Sequence, residues 1–182
     1  ENAPWMYPEI LPQVRELIRF RARLEPYLYA LLWEAHRTGH PVIRPTVYHF
    51  AADPHTRGQS FEYLAGRGLL VANVLEAGAR TRTVYLPAGT GWYDWHSGAY
   101  YPGGQTVTVD APLERIPLFA AEGTILPTEQ AGRYTIYAFP HRSAGVGEFT
   151  LYEDDGFSKD GPYQEHRLRI EAAGQIHLSA GD

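Results

Sequence analysis

Apolar positions between residues 14 and 35 recur at steps of three and four: Val14, Leu17, Ile18, Leu24, Leu28, Leu31, Leu32 and Ala35. That spacing lines one side of a 3.6-residue helix. Gln13, Glu16, Arg19, Arg23 and Glu34 take the polar side. Pro26 falls inside the pattern and predicts a kink or a break into two helices. Gly39, with Pro41 just beyond, predicts the stop. The opening Glu1-Asn2-Ala3-Pro4-Trp5 has no period and reads as an irregular lead-in.

Past Pro41 the period becomes strand-like. Residues 42–48 read as one extended run, 61–64 as a short helical turn, and 69–75 as a near-continuous apolar run, the pattern of a strand covered on both faces. Further strands are expected at 83–87, 92–95, 105–109, 116–120 and 124–127. After a break at 127–132 they resume at 134–139, 147–152, 167–172 and 175–178. Short strands roughly every 10 residues predict an antiparallel sandwich. The expected fold class is α+β, mainly β. The stop at Asp182, directly after a strand, is expected to be a truncation inside a sheet.

Composition supports many strands and turns: Gly 18 and Pro 14 stand beside Tyr 13 and Trp 4 in 182 residues, which disfavours a helical bundle. The net charge of −5 offers no cationic footprint for phosphates, so nucleic acid is not an expected partner. No apolar run reaches the roughly 18 residues of a membrane span, and Glu1 opens no signal peptide, so no membrane association is expected. With Cys 0, disulfides, thiolate nucleophiles and cysteine metal sites are excluded. A cytoplasmic setting is the expectation.

Local chemistry is sparse. Glu153, Asp154 and Asp155 are the densest acidic cluster, but strand alternation sends neighbours to opposite faces and Asp-Asp-Gly is turn chemistry. Counting back from Gly156 puts Leu151 at the first ligand position of a calcium loop, and counting back from Gly161 puts Gly156 there, so neither spacing fits. His36 and His40 have a helical ligand spacing, yet Gly39 ends the helix between them and no carboxylate completes a set. No metal and no cofactor are expected. Arg15, Arg19 and Arg23 read as a solvated helix face. Trp92, Tyr93, Trp95 and Tyr100, with Asp94 among them, form a candidate sugar-stacking platform, since CH faces stack on rings and hydroxyls need acceptors. Against it stands the ordinary use of aromatics to fill a sandwich core.

Several colinear segments then resemble glycoside hydrolase family 31, the α-glucosidase and α-xylosidase family. They are Arg23-Leu24-Glu25-Pro26-Tyr27-Leu28-Tyr29, the stretch Glu34-Ala35-His36 through Val42-Ile43-Arg44-Pro45, Val84-Tyr85-Leu86-Pro87-Ala88-Gly89, Ala111-Pro112-Leu113-Glu114-Arg115-Ile116-Pro117-Leu118-Phe119, Gly123-Thr124-Ile125-Leu126-Pro127 and Leu151-Tyr152-Glu153-Asp154-Asp155-Gly156. Asn73 stands where the family usually has Pro, and Arg67-Gly68 replaces a Pro-Ser-like pair.

The resemblance implies a retaining glycosidase in which one Asp attacks the anomeric carbon and a second serves as acid, then base. Both would lie before Glu1, so no catalytic residue is assigned here and the chain alone is expected to be inactive. The implied divisions are 1–65, the last helix and strand of a catalytic (β/α)8 barrel; 66–128, a proximal β-sandwich; and 129–182, the start of a distal β-domain. Trp5, Tyr48 and His49 are the positions expected to approach the sugar site of the intact enzyme, whose substrate would be an α-linked oligosaccharide or glucoside. An autonomous carbohydrate-binding module is the alternative. The helix stripe, deprived of the missing barrel, is expected to pack on the sandwich or to mediate a homodimer.

Overall fold

The apolar stripe of the first 40 residues folds as two helices, not one, in the computed structural model, which describes residues 3–59, 61–159, 161–172 and 176–180. Helix α1 (Leu11–Arg23) and helix α2 (Glu25–Thr38) meet at Leu24. Pro26 imposes the break, because a ring without an N–H fits only the first turn of a new helix. Gly39 closes α2 at φ 77°, the left-handed geometry in which its N–H reaches back to the Ala35 carbonyl. Among the described residues no helix is long and apolar enough to cross a membrane.

Beyond α2 the regular structure is mainly antiparallel strand. In chain order these are β1 (Ile43–Pro45), β2 (Glu62–Ala65), β3 (Leu69–Ala72), β4 (Thr81–Leu86), β5 (Gly91–Asp94), β6 (Tyr100–Pro102), β7 (Gln105–Asp110), β8 (Leu118–Ala121), β9 (Thr124–Gln130), β10 (Arg133–Phe139), β11 (Val146–Asp154), β12 (Tyr163–Glu171) and β13 (Ile176–Ala180). One sheet has the order β1-β2-β3-β8-β5-β6. The pairs β4-β7 and β9-β10 and the three-stranded β11-β12-β13 form the others.

Strand β3 explains its own composition. Leu69 and Val71 face a core shared with Leu24, Tyr27 and Leu31 of the helices, whereas Leu70 and Ala72 face a second core with Val84, Leu86 and Trp92. Both faces are covered, so an unbroken apolar run is required. A third core, Ile125 with Leu151, Leu168 and Ile170, joins β9 to the β11–β12 hairpin. Burial of the stripe is uneven. Helix α2 buries Tyr27, Ala30 and Leu31, while no residue of α1 is fully buried. The stripe of α2 thus packs within the chain, and Ile18 and Leu32 remain 56% exposed each.

Four local expectations are corrected. Residues 61–64 are not helical: Glu62–Ala65 is a strand bonded to both β1 and β3, and this long-range pairing decides its conformation. The run at 42–48 is extended only to Pro45, after which Thr46–Tyr48 turns as a 3-10 helix. The run at 69–75 leaves the ladder after Ala72. The strand starting at Thr124 does not stop at Pro127 but runs to Gln130, forming one hairpin with β10. Pro127 is tolerated because β9 pairs on one side only. Strands β1 and β2, expected with the barrel's end, lie at one end of the six-stranded sheet, with β1 at its edge and β2 bonded on both sides.

Candidate functional site

Alternation along β1 turns Arg44 inward, where it is 1% exposed. Such a guanidinium needs a partner for each N–H face. Its Nε donates to the Pro41 carbonyl at 2.6 Å, Nη2 to Glu34 Oε2 at 2.9 Å, and Nη1 to His49 Nε2 at 2.8 Å. Arginine only donates, so His49 Nε2 accepts and the imidazole is neutral. Burial of the ring lowers its pKa, and the charges of Arg44, Arg67 and His40 lower it further against Glu34. Tyr48 packs edge-on to His49, centroids 5.1 Å apart, and its hydroxyl meets His40 Nδ1 at 2.7 Å. Tyr48 and His49 therefore share one node. Trp5 stands on the separate 3-10 turn Pro4–Met6 before α1, 73% exposed.

The loop after this node is tied down by Asp53. Its carboxylate accepts from the Ala88 N–H at 2.8 Å, the Tyr85 hydroxyl at 2.8 Å and the His55 N–H at 3.0 Å. The Ala88 N–H does most to hold its pKa down at about 2, with Tyr85 and His55 adding to it against burial. Residues 46–58 are thereby fixed to the β4–β5 turn.

The four aromatics considered for sugar stacking are distributed through the packing. Trp92 is fully buried against Phe50, its Nε1 donating to the Pro87 carbonyl at 2.9 Å, so neither face meets solvent. Tyr93 donates to the Pro140 carbonyl at 2.8 Å and packs on Tyr100 and Phe139. Trp95 is wedged among Phe20, Tyr137 and Phe139. Tyr100 lies beneath the Arg142 guanidinium at 4.5 Å. Asp94 accepts from the His96 and Ser97 N–H groups and closes the β5–β6 turn.

Alternation also separates the acidic cluster. Glu153 faces Tyr134, whose hydroxyl it accepts, and His166 at 2.9 Å. Asp154 faces the other way and accepts the hydroxyls of Tyr29 at 2.8 Å and Tyr152 at 2.9 Å. Asp155 caps the turn through the Phe157 and Ser158 N–H groups. His36 stacks on Trp33 and His40 turns to Tyr48, so the helical His pair does not converge. Among the described residues no group of three His, Asp or Glu could hold a metal ion.

A second aromatic cluster was not foreseen: Tyr29 and Trp33 of α2 against Tyr152 and Tyr163 of the β11–β12 hairpin. The readable sign was the four-residue spacing of Tyr29 and Trp33, which puts two rings on one helix face. Beside it opens a cleft of about 940 Å3 between α2, the loop at 49–53 and β11, with Glu34, Arg37, Arg67, Glu148 and Glu165 along its walls.

Comparison with known proteins places this architecture. Residues 39–126 match the glycosyl hydrolase family 31 C-terminal domain. A probable glucan 1,3-alpha-glucosidase of Arabidopsis thaliana is 38% identical over 166 residues, 85% of this chain and 18% of that protein. The glucose complex of a family 31 dextranase from Flavobacterium johnsoniae superposes with a TM-score of 0.88 at 34% identity, covering 98% of this chain and 24% of the other. A family 31 alpha-xylosidase from Xanthomonas citri gives 0.81 at 33% identity, over 100% and 20%. The chain spans about a fifth of the length of the curated relatives it matches. With the motif order, the helix pair and the sandwich in agreement, the chain belongs to glycoside hydrolase family 31, as part of its C-terminal region.

Proposed function

We propose that this chain is the bracing C-terminal segment of a retaining α-glucosidase-like hydrolase and supplies no catalytic carboxylate of its own. The observation that carries this is the half-used helix pair. Helix α2 packs on the sandwich, yet α1 buries nothing fully, and Ile18 and Leu32 project from the pair. A surface of that kind is built to meet a further apolar partner. In an eight-stranded barrel the last helix lies between the strands and whatever follows, so the partner is the catalytic barrel. The Arg44 node and the Asp53 anchor then hold residues 46–58 rigid, and Tyr48 and His49 border the sugar pocket without doing chemistry. The whole enzyme would cleave terminal α-glycosidic bonds.

The reading is tested in the Flavobacterium johnsoniae dextranase. Deleting its matching C-terminal segment is expected to abolish dextran hydrolysis, and grafting this chain in its place to restore it. The isolated chain is expected to leave a nitrophenyl α-glucoside intact. Hydrolysis by the isolated chain, or full activity of the truncated dextranase, overturns the assignment.

A further inference from the structure

The seam between α2 and the β11–β12 hairpin carries chemistry that bracing does not need. Tyr29, Trp33 and Arg37 follow one another at four-residue steps along α2 and make one ridge. Across from them, the hairpin register pairs Tyr152 with Glu165 and Asp154 with Tyr163, which puts these four side chains on one face. The rings interlock. Trp33 stacks on Tyr152 with centroids 4.2 Å apart and 19° between planes, and Tyr163 lies 5.3 Å from Trp33 and 5.4 Å from Tyr152. The inner rings cover one another, but the outer two do not: Tyr163 is 50% exposed and Tyr29 38%.

Polar groups border this aromatic surface. Glu165 uses Oε1 to accept the Trp33 indole N–H at 3.1 Å. The Arg37 guanidinium lies 5.3 Å from the Trp33 ring centre. Trp33, Arg37 and Glu165 also line the 940 Å3 cleft, together with Glu34, Glu148 and Thr150. The Asp154 carboxylate, accepting both Tyr29 and Tyr152, fixes the rings before any ligand arrives, which lowers the ordering cost of binding. Half-exposed phenol rings give a pyranose a surface for its CH face. Carboxylate oxygens and a guanidinium take its hydroxyls as donors and acceptors, and a cleft of this size suits a short oligosaccharide.

We propose that this seam is a binding site for an α-linked oligosaccharide, in which a sugar ring lies on Tyr163 and its hydroxyls meet Glu165 and Arg37. The choice of α-linked glucans rests on the function proposed above; the aromatic and carboxylate chemistry does not. The site would hold a polymer chain to the enzyme while the barrel works on its end.

The test is affinity electrophoresis of the 182-residue chain in gels containing dextran or soluble starch, with isomaltotriose and maltotriose titrated by tryptophan fluorescence. Retardation is expected, and Tyr163→Ala should weaken it roughly tenfold, the worth of one stacking ring. Tyr163→Phe should retain it, Glu165→Gln should weaken it, and Phe157→Ala, on the turn beyond the seam, should leave it unchanged. Melting curves identify any variant that has lost its fold, and Glu165→Gln provides the second, conservative variant. No retardation and no saturable fluorescence change, or binding by Tyr163→Ala and Glu165→Gln as tight as that of the parent chain, overturns the site. Retardation by hydroxyethylcellulose and not by dextran or starch overturns the α-linkage. None of these measurements depends on hydrolysis, so the site can fail while the dextranase graft succeeds, and the reverse.

Discussion

Arg44 Nη1 lies 2.8 Å from His49 Nε2, a donor that cannot become an acceptor facing a nitrogen that therefore must be one. A proton on Nε2 would set two donors against each other beside a buried cation. His49 accordingly has a lowered pKa in the folded chain, through burial first and then the charges of Arg44, Arg67 and His40, with Glu34 opposing. The unfolded chain binds this proton more readily, so stability rises with pH wherever the two states differ in occupancy. Thermal unfolding is expected to be insensitive to this group above its unfolded pKa of about 6.5 and to fall as pH drops below it. His49→Gln, which keeps an acceptor and cannot titrate, should flatten that slope. An unchanged slope in the variant would remove His49 from the account. Asp53, held at about 2, acts in a separate window: its stabilisation is present above the ordinary carboxylate range and is lost as pH falls towards that value.

The ring of Tyr27 stacks on Phe149 at 5.4 Å and 21°, while its hydroxyl donates to the Ala65 carbonyl at 2.8 Å. One buried side chain thus ties α2 to the six-stranded sheet and to β11. Tyr27→Phe is expected to cost about 1 kcal/mol through the lost hydrogen bond. A double-mutant cycle with Tyr27→Ala and Phe149→Ala should give a coupling of about 0.5–1.5 kcal/mol. Coupling near zero in urea unfolding would mean that the ring contact contributes nothing beyond burial.

The β9–β10 hairpin turns through Ala131 at φ 53° and Gly132 at φ 75°. Gln130 and Arg133 flank these two residues as a pair, so the loop is a two-residue turn with positive φ at both centres. Gly132 adopts this freely, but Ala131 has a Cβ that opposes it at roughly 1 kcal/mol. Ala131→Asn should therefore stabilise the chain by about 0.5–1 kcal/mol and raise the melting temperature by about 1–4 °C. Ala131→Val, branched at the strained position, should lower it. A fall with Asn would contradict the assigned turn.

That same segment shows what could be read beforehand. Residues 127–132, dense in turn formers and led by Pro127, look like a boundary. Pro127 is compatible with a strand whose N–H faces no partner, and only the tertiary pairing to Ile136 reveals which edge is bare. The helix break at Pro26, the doubly covered strand at Leu69–Ala72 and the stop at Gly39 were legible because a single local constraint fixes each one. The candidate site was less legible. Trp92, after Gly91, and Tyr163, after Pro162, have the same local look, an aromatic at the start of a strand, yet one is sealed against Phe50 and the other is half in solvent. What separates them is which sheet covers each ring, a contact between residues far apart in sequence. The Arg44 node was missed for a related reason: three partners at 34, 41 and 49 converge only after α2 and β1 have folded past each other.

Ile18 on α1 and Leu32 on α2 each leave more than half of their apolar surface uncovered by the rest of the described chain, and together they are taken as one strip. In the intact enzyme the proposed barrel would lie over it; in the isolated chain a second copy offers the same kind of surface, and a two-fold pairing would place each strip against its twin. Burying one such side chain contributes roughly 1.5–3 kcal/mol, so a few exposed positions suffice for measurable association. Sedimentation equilibrium of the isolated chain is expected to show an average mass that rises with concentration. The double variant Ile18→Glu, Leu32→Glu should sediment as a monomer, because like charges would then meet across the two-fold. Its melting temperature should stay close to that of the parent at low concentration, since neither position is in the core. A parent chain that remains monomeric throughout would leave the strip to the barrel alone.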